Sequence, residues 1–240
     1  MKHNKNFRTV EIKRDFKTVP LFDNSNISVL SGNLEAPLLK KLKEEVLKLR
    51  DNNPIPYNAG LAGAIKEEYI FDPTTVPGLG LFINHMYEVY RDHYKVFQGK
   101  ESWLSPIWAN YQRKHEFNPI HNHTGALSFV IWTQIPYNIE DELNVITTST
   151  SNVTSQFQFV YPSMSNNIGM TNFPVAKTWE GTVLMFPSWL MHTVYPFYTS
   201  DDFRISVAGN LFVEGENYKS NPTDDPDRYI AEMKKQAGKL

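Results

Sequence analysis

The 240-residue sequence contains no cysteine. That excludes disulfides and thiolate-held metal, and leaves histidine, aspartate and glutamate as the side chains able to grip a cation. It also lacks any apolar run near the ~18 residues that a membrane span requires. Met1 to Phe7 carry no apolar stretch of the kind that opens a signal peptide. A soluble, cytoplasmic protein is the expectation. Charge imbalance is missing too: the formal net charge is −2, so no strong field draws the chain to nucleic acid or to a membrane surface. With neither an internal repeat nor a linker-like stretch, residues 1–240 read as a single domain.

What is present suffices for a large core, at 41% hydrophobic and 13% aromatic residues. Residues 7–31 alternate loosely and read as short strands. Leu38, Leu39, Leu42, Val46 and Leu49 recur at helical spacing and predict a helix over 36–50, with Pro37 suited to its first turn. A second helix is expected within 75–99, striped by Leu79, Phe82, Ile83, Met86, Val89, Tyr90, Tyr94 and Phe97. After Pro106 the period becomes two, and residues 106–137 predict two strands joined through a loop containing His115 and Glu116. Residues 138–178 are crowded with Ser, Thr and Asn around one clear β run, Gln156 to Tyr161. They read as a polar insertion, the most mobile part of the core and a candidate lid. Strand signals resume at 179–186, 192–198 and 203–213. A tail follows from residue 214, with a short helix after Asp225-Pro226-Asp227. The whole is a mainly β fold with flanking helices (α+β): support over 1–105, a jelly-roll core over 106–213, and the tail over 214–240.

The chemistry gathers in two stretches. His121-Asn122-His123 precedes the apolar run Ala126 to Trp132, and on a strand two side chains at i and i+2 share a face. His192 closes Phe186-Pro187-Ser188-Trp189-Leu190-Met191-His192. Beyond it comes Arg204, with Ser206 on the same strand face and Phe203, Ile205, Val207 and Leu211 on the other. An Arg inside an apolar strand is costly unless paired, so an anion is expected, and a guanidinium fork suits a carboxylate. A His pair, a distant third His and a nearby Arg thus read as a metal site. A facial triad usually takes the form His-x-Asp/Glu followed by a distant His, leaving open metal positions. Other features have plainer readings. His85 and His93 are lone helical histidines, Trp103, Trp108, Trp132 and Trp179 are core aromatics, and Phe186 to Trp189 form a packed turn. Lys40-Lys41, Glu44-Glu45 and Lys234-Lys235 are solvated helix faces.

These segments resemble the Fe(II)/2-oxoglutarate-dependent oxygenase superfamily. The likeness is to a branch, often phage-encoded or bacterial, that carries His-x-His before a Leu-Ser strand, then Phe-Pro-Ser-Trp-x-x-His, then Arg-x-Ser-x-x-x-Asn. Here these are His121 to His123, Leu127 to Trp132, Phe186 to His192 and Arg204 to Asn210. The resemblance covers about residues 106–213. It implies a double-stranded β-helix that binds iron through His121, His123 and His192. It also implies that Arg204, assisted by Ser206, holds the distal carboxylate of the cosubstrate 2-oxoglutarate. Other branches place a further cosubstrate contact about ten residues before the first His. Asn110 and Gln112 share a strand face in that window, with Tyr111 on the opposite face as the alternative.

One departure is His123 at the usual carboxylate position. A neutral imidazole raises the net charge of the metal site by one, and a three-His set also suits Zn²⁺. Glu116 is the candidate for an outside carboxylate. The implied activity is hydroxylation with dioxygen, releasing succinate and CO₂. The rival readings are a three-His cupin-like dioxygenase or zinc enzyme, and a jelly-roll binding protein without catalysis. The substrate is open among a protein side chain, a nucleobase and a metabolite; no membrane partner is expected, and nucleic acid is not indicated.

Overall fold

In the computed structural model, residues 16–19, 27–146, 148, 150–163 and 165–216 are described. The strands expected before residue 16 and the helix expected after Asp225 lie outside them. In chain order come β1 (Lys17–Thr18), β2 (Leu30–Asn33), α1 (Ala36–Asp51), β3 (Glu68–Phe71), α2 (Leu79–Tyr94), β4 (Ser102–Leu104), β5 (Ile107–Gln112) and β6 (Asn118–His121). There follow β7 (Leu127–Gln134), α3 (Ile139–Leu143), β8 (Phe157–Pro162), β9 (Ile168–Phe173), β10 (Thr182–Pro187), β11 (Met191–Val194) and β12 (Arg204–Val213).

The two long helices follow their apolar spacing. Helix α1 buries Leu42 and Val46, has Pro37 in its first turn, and carries Lys48 and Arg50 in its last turn, where the helix dipole favours cations. Helix α2 buries Leu79, Phe82, Ile83, Met86, Tyr87 and Tyr90 along one stripe. Both stripes pack on one face of a large antiparallel sheet of order β1-β2-β10-β7-β12-β5-β3, with β4 also paired to β12. The other face of that sheet meets a smaller sheet of order β6-β11-β8-β9. Between the sheets, Trp132, Leu184 and Phe186 pack with Phe157, Phe159, Tyr161 and Phe173. Strand β12 shows the division residue by residue. Ile205, Val207 and Leu211 join the core under the helices, whereas Arg204, Ser206 and Ala208 face a cavity between the sheets.

Two expectations need correction. Residues 106–137 form three strands, not two, because the supposed loop after Gln112 contains β6, which crosses to the smaller sheet. Residues 138–178 are not one polar insertion. Strands β8 and β9 pair along their length, and β8 also pairs with β11, so the segment supplies half of the smaller sheet. The cause is burial that composition conceals: Phe157, Phe159 and Tyr161 are buried, and so are polar neighbours such as Ser155, Gln158 and Thr171. Even α3 is tied down, since the buried Glu142 carboxylate accepts from the backbone N–H groups of Tyr198 and Thr199.

Candidate active site

Pairing register places the first two histidines. His121 ends β6 and His192 lies directly opposite on β11, with ring centroids 4.2 Å apart. His123 is not on the strand, as the i, i+2 reading supposed, but in the turn beyond it. Its N–H donates to the Ser188 carbonyl at 2.9 Å. That turn requires Gly125, whose φ is +100° and where a Cβ would lie 2.9 Å from the Leu211 carbonyl oxygen. The Phe-Pro-Ser-Trp segment, expected to be a packed turn, instead ends β10 with Phe186 and Pro187 and turns only at Ser188 and the exposed Trp189; its Ser188 carbonyl positions His123. Ser188 is fixed in turn, its Oγ 2.9 Å from Ser128 Oγ, which lies 2.8 Å from Asn210 Oδ1.

One nitrogen from each of His121, His123 and His192 lies within 4.8 Å of the others. His121 Nδ1 is 2.7 Å from the Pro119 carbonyl oxygen and His192 Nδ1 is 2.9 Å from that of Leu190. A carbonyl only accepts, so each Nδ1 holds the proton and each Nε2 keeps its lone pair. Burial lowers the pKa of all three rings; for His123 burial and then the neighbouring His121 push it down to about 3. All are neutral near pH 7, the form that binds metal. His123 Nε2 and His192 Nε2 stand 3.2 Å apart, an arrangement that a shared cation satisfies with the lone pairs already aimed. The donor set fits a divalent ion with open positions. Among the described residues no carboxylate joins the cluster. Glu116 Oε2 instead accepts from the Arg113 N–H at 2.9 Å, so the outside carboxylate is not supplied there.

Arg204 lies in the same cavity, 3% exposed, and its guanidinium is held there without an acidic side chain. Its guanidinium satisfies all five N–H groups with neutral acceptors. Nε and Nη2 donate to Gln112 Oε1 at 3.0 and 2.7 Å; Nη1 donates to Tyr137 Oη and the Ser155 carbonyl, and Nη2 also to the Tyr195 carbonyl. Gln112 thus occupies the fork that would grip a carboxylate. Asn110 faces Ser206 across β5 and β12 and donates to its Oγ at 3.1 Å. Both line the cavity, whereas Tyr111 is buried among the residues under the helices, its hydroxyl on the Val46 carbonyl. Trp108 and Trp132, read as core aromatics, also line the cavity, with Trp108 5.6 Å from the His123 ring.

Sequence reasoning missed Glu68. It sits opposite Asn110 across β3 and β5, lines the same cavity and is 2% exposed. Asn58 Nδ2 donates to its Oε2 at 3.1 Å. Burial, with the Glu116 charge adding to it, raises its pKa to about 8. No motif surrounds it; only strand register exposes it. The folded protein then holds a proton that the unfolded chain, titrating near 4.5, has released. Glu68 contributes stability that is fully present below that pH and lost as pH rises through about 8, at roughly 1.4 kcal/mol per pH unit in between. The three histidines, neutral in the fold, add stability as pH rises through 6.5 and oppose this decline. Denaturant unfolding of metal-free wild type and Glu68→Gln at pH 6.5, 7.25 and 8 should therefore show wild type losing stability relative to the variant as pH rises. A slope unchanged by the substitution would show that Glu68 does not titrate as its burial requires.

Residues 106–210 match the model of a family described as "Putative 2OG-Fe(II) oxygenase". HygX from Streptomyces hygroscopicus, solved with nickel and 2-oxoglutarate bound, superposes with a TM-score of 0.54 at 12% identity, covering 86% of this chain and 90% of that one. A Pseudomonas putida prolyl-4-hydroxylase gives 0.50 at 14% identity, covering 83% and 93%. A Trichoplax adhaerens prolyl hydroxylase, in complex with a hypoxia inducible factor peptide fragment, gives 0.50 at 12%, covering 87% and 88%. At such identities the likeness is one of fold. A search of curated protein sequences finds no match.

Proposed function

We propose that the chain is an Fe(II)- and 2-oxoglutarate-dependent oxygenase that hydroxylates its substrate, a reading supported by the match of residues 106–210 to that family's model. In this reading His121, His123 and His192 hold the iron and Arg204 anchors the keto acid. The observation that carries it is three neutral imidazoles converging beside a buried guanidinium in one cavity. Bound iron with 2-oxoglutarate and dioxygen supplies the chemistry that converts C–H to C–OH, with release of succinate and CO₂.

The chain's own residues bind, orient and exclude water. A carboxylate entering the Arg204 fork replaces the neutral Gln112 Oε1 acceptor with an anionic one, adding ion pairing to both guanidinium hydrogen bonds. Gln112 is thus a placeholder that yields to the cosubstrate, and Ser206 and Asn110 flank the carboxylate. Trp108, Trp132, Phe157 and Phe186 line the same cavity and keep it dry. No helix among the described residues is long and apolar enough to cross a membrane.

The proposal is tested by turnover. Wild-type protein with Fe(II), 2-oxoglutarate and labelled dioxygen should form succinate that carries one atom of the label. Gln112→Glu ties a carboxylate permanently into the Arg204 fork, and should suppress both succinate formation and 2-oxoglutarate binding. Label-free succinate, or unaltered keto-acid affinity in Gln112→Glu, would contradict the assignment.

A further inference from the structure

Four buried side-chain oxygens have no hydrogen-bond partner among the described residues: Glu68 Oε1, Asn110 Oδ1, Asn118 Oδ1 and Gln156 Oε1. Glu68, Asn110 and Asn118 all line the cavity that holds the three histidines. Asn110 Oδ1 and Asn118 Oδ1 can only accept, and Glu68 Oε1 joins them as an acceptor once its proton leaves, so the ionised group sets three acceptors beside one cavity without donors. Neither expected occupant supplies them. The 2-oxoglutarate dianion presents only acceptors, and iron takes up nitrogen lone pairs elsewhere in the site. A third component bearing N–H donors would satisfy all three.

We infer that Glu68, with Asn110 and Asn118, forms a substrate subsite for a nitrogen cation, a guanidinium or primary ammonium group on a flexible arm. The inference rests on reading the cavity as an oxygenase site and names the class of molecule that enters it. A guanidinium offers five N–H donors and an ammonium three, a count that suits one carboxylate and two amide oxygens. Among donors of similar shape, the carboxylate selects the charged one.

Placement supports the assignment. Glu68, Asn110 and Ser206 form a row across β3, β5 and β12, one register step from Gln112 and Arg204. Asn118 begins the strand that ends in His121. Leu61, Ala62 and Ile65 come from the segment before β3 and line the same space. That segment is held by Asn58, which donates to the Ile65 carbonyl and to Glu68 Oε2. A cation bound at Glu68 would therefore present the rest of its carbon chain within the cavity that contains the metal ligands. With a pKa near 8, about one Glu68 carboxyl in ten is charged at pH 7, and an arriving cation draws out the remaining protons. The charged groups around it are Glu116, which raises that pKa, and Arg204, whose donors are already engaged.

The test compares n-butylguanidinium with n-butylurea, its neutral analogue of matching shape. Binding is followed by ligand-observed NMR on metal-free protein and on protein loaded with Zn(II) and 2-oxoglutarate. Wild-type protein should bind the cation at least tenfold more tightly than the urea, and Glu68→Gln should erase the difference. Keto-acid affinity is measured in both proteins to separate loss of the subsite from loss of the cavity. Equal binding of the two probes by wild type, or a preference that survives in Glu68→Gln, overturns the inference. Should Glu68→Gln fail to fold, the wild-type comparison alone decides. Failure of 2-oxoglutarate to bind would instead count against the oxygenase reading, while the metal-free titration still reports on the cation.

Discussion

Arg204→Ala is expected to weaken 2-oxoglutarate binding by roughly 10²–10⁴-fold while iron binding persists. Two charge-assisted hydrogen bonds at about 1.5–3 kcal/mol each set that range. The geometry makes the effect separable from the metal, because the guanidinium touches Gln112, Tyr137, Ser155 and Tyr195 and none of the histidines. Arg204→Lys retains the charge but not the fork, and should fall between wild type and Ala. Removing Arg204 also orphans several buried acceptors, so a fall in unfolding stability should accompany the loss of affinity. Isothermal titration of the three proteins, with iron content measured beside it, gives the series. Undiminished keto-acid affinity in Arg204→Ala would remove Arg204 as the anchor.

His192→Ala should abolish metal binding. His192 is the most enclosed of the three rings, 4% exposed, and the one whose Nε2 faces His123 Nε2. Two imidazoles remaining at the edge of a cavity make a weak site. A divalent ion at a hundred times its dissociation constant stabilises the fold by about 2.7 kcal/mol. For a chain of this size that raises Tm by roughly 5–10 °C. Wild-type protein should show that rise with Fe(II) under anaerobic conditions, and His192→Ala should show none. A full thermal shift in the variant would mean that the metal sits elsewhere.

Legibility in the sequence followed the range of the interaction. Helices α1 and α2 announced themselves because each buries one stripe, and Leu42, Val46, Phe82 and Met86 fall where helical spacing puts them. Strand β12 was equally plain, since Ile205, Val207 and Leu211 alternate with Arg204, Ser206 and Ala208. The three histidines were visible as residue types, although their convergence comes from the β6–β11 register and the Gly125 turn rather than from two positions on one strand. Strands β8 and β9 were masked by the polar residues between the elements, and a composition average over 138–178 hid the buried Phe157, Phe159 and Phe173. The environment of Arg204 was not readable at all. Its acceptors come from Gln112, Tyr137, Ser155 and Tyr195, ordinary residues scattered along the chain, two of them acting through backbone carbonyls. Glu68 was silent for the same reason: a glutamate in a four-residue strand becomes conspicuous only when its register sets it against Asn110 inside a cavity.

Anaerobic titration of the metal-free protein with Fe(II) and then 2-oxoglutarate tests the central claim most directly. One iron should bind per chain, and addition of the keto acid should produce the weak visible charge-transfer band of a bidentate keto acid on iron. Gln112→Glu should bind the iron without producing the band. Iron and 2-oxoglutarate both bound with no band, or a band that persists in His192→Ala, would contradict a shared site built from His121, His123, His192 and Arg204.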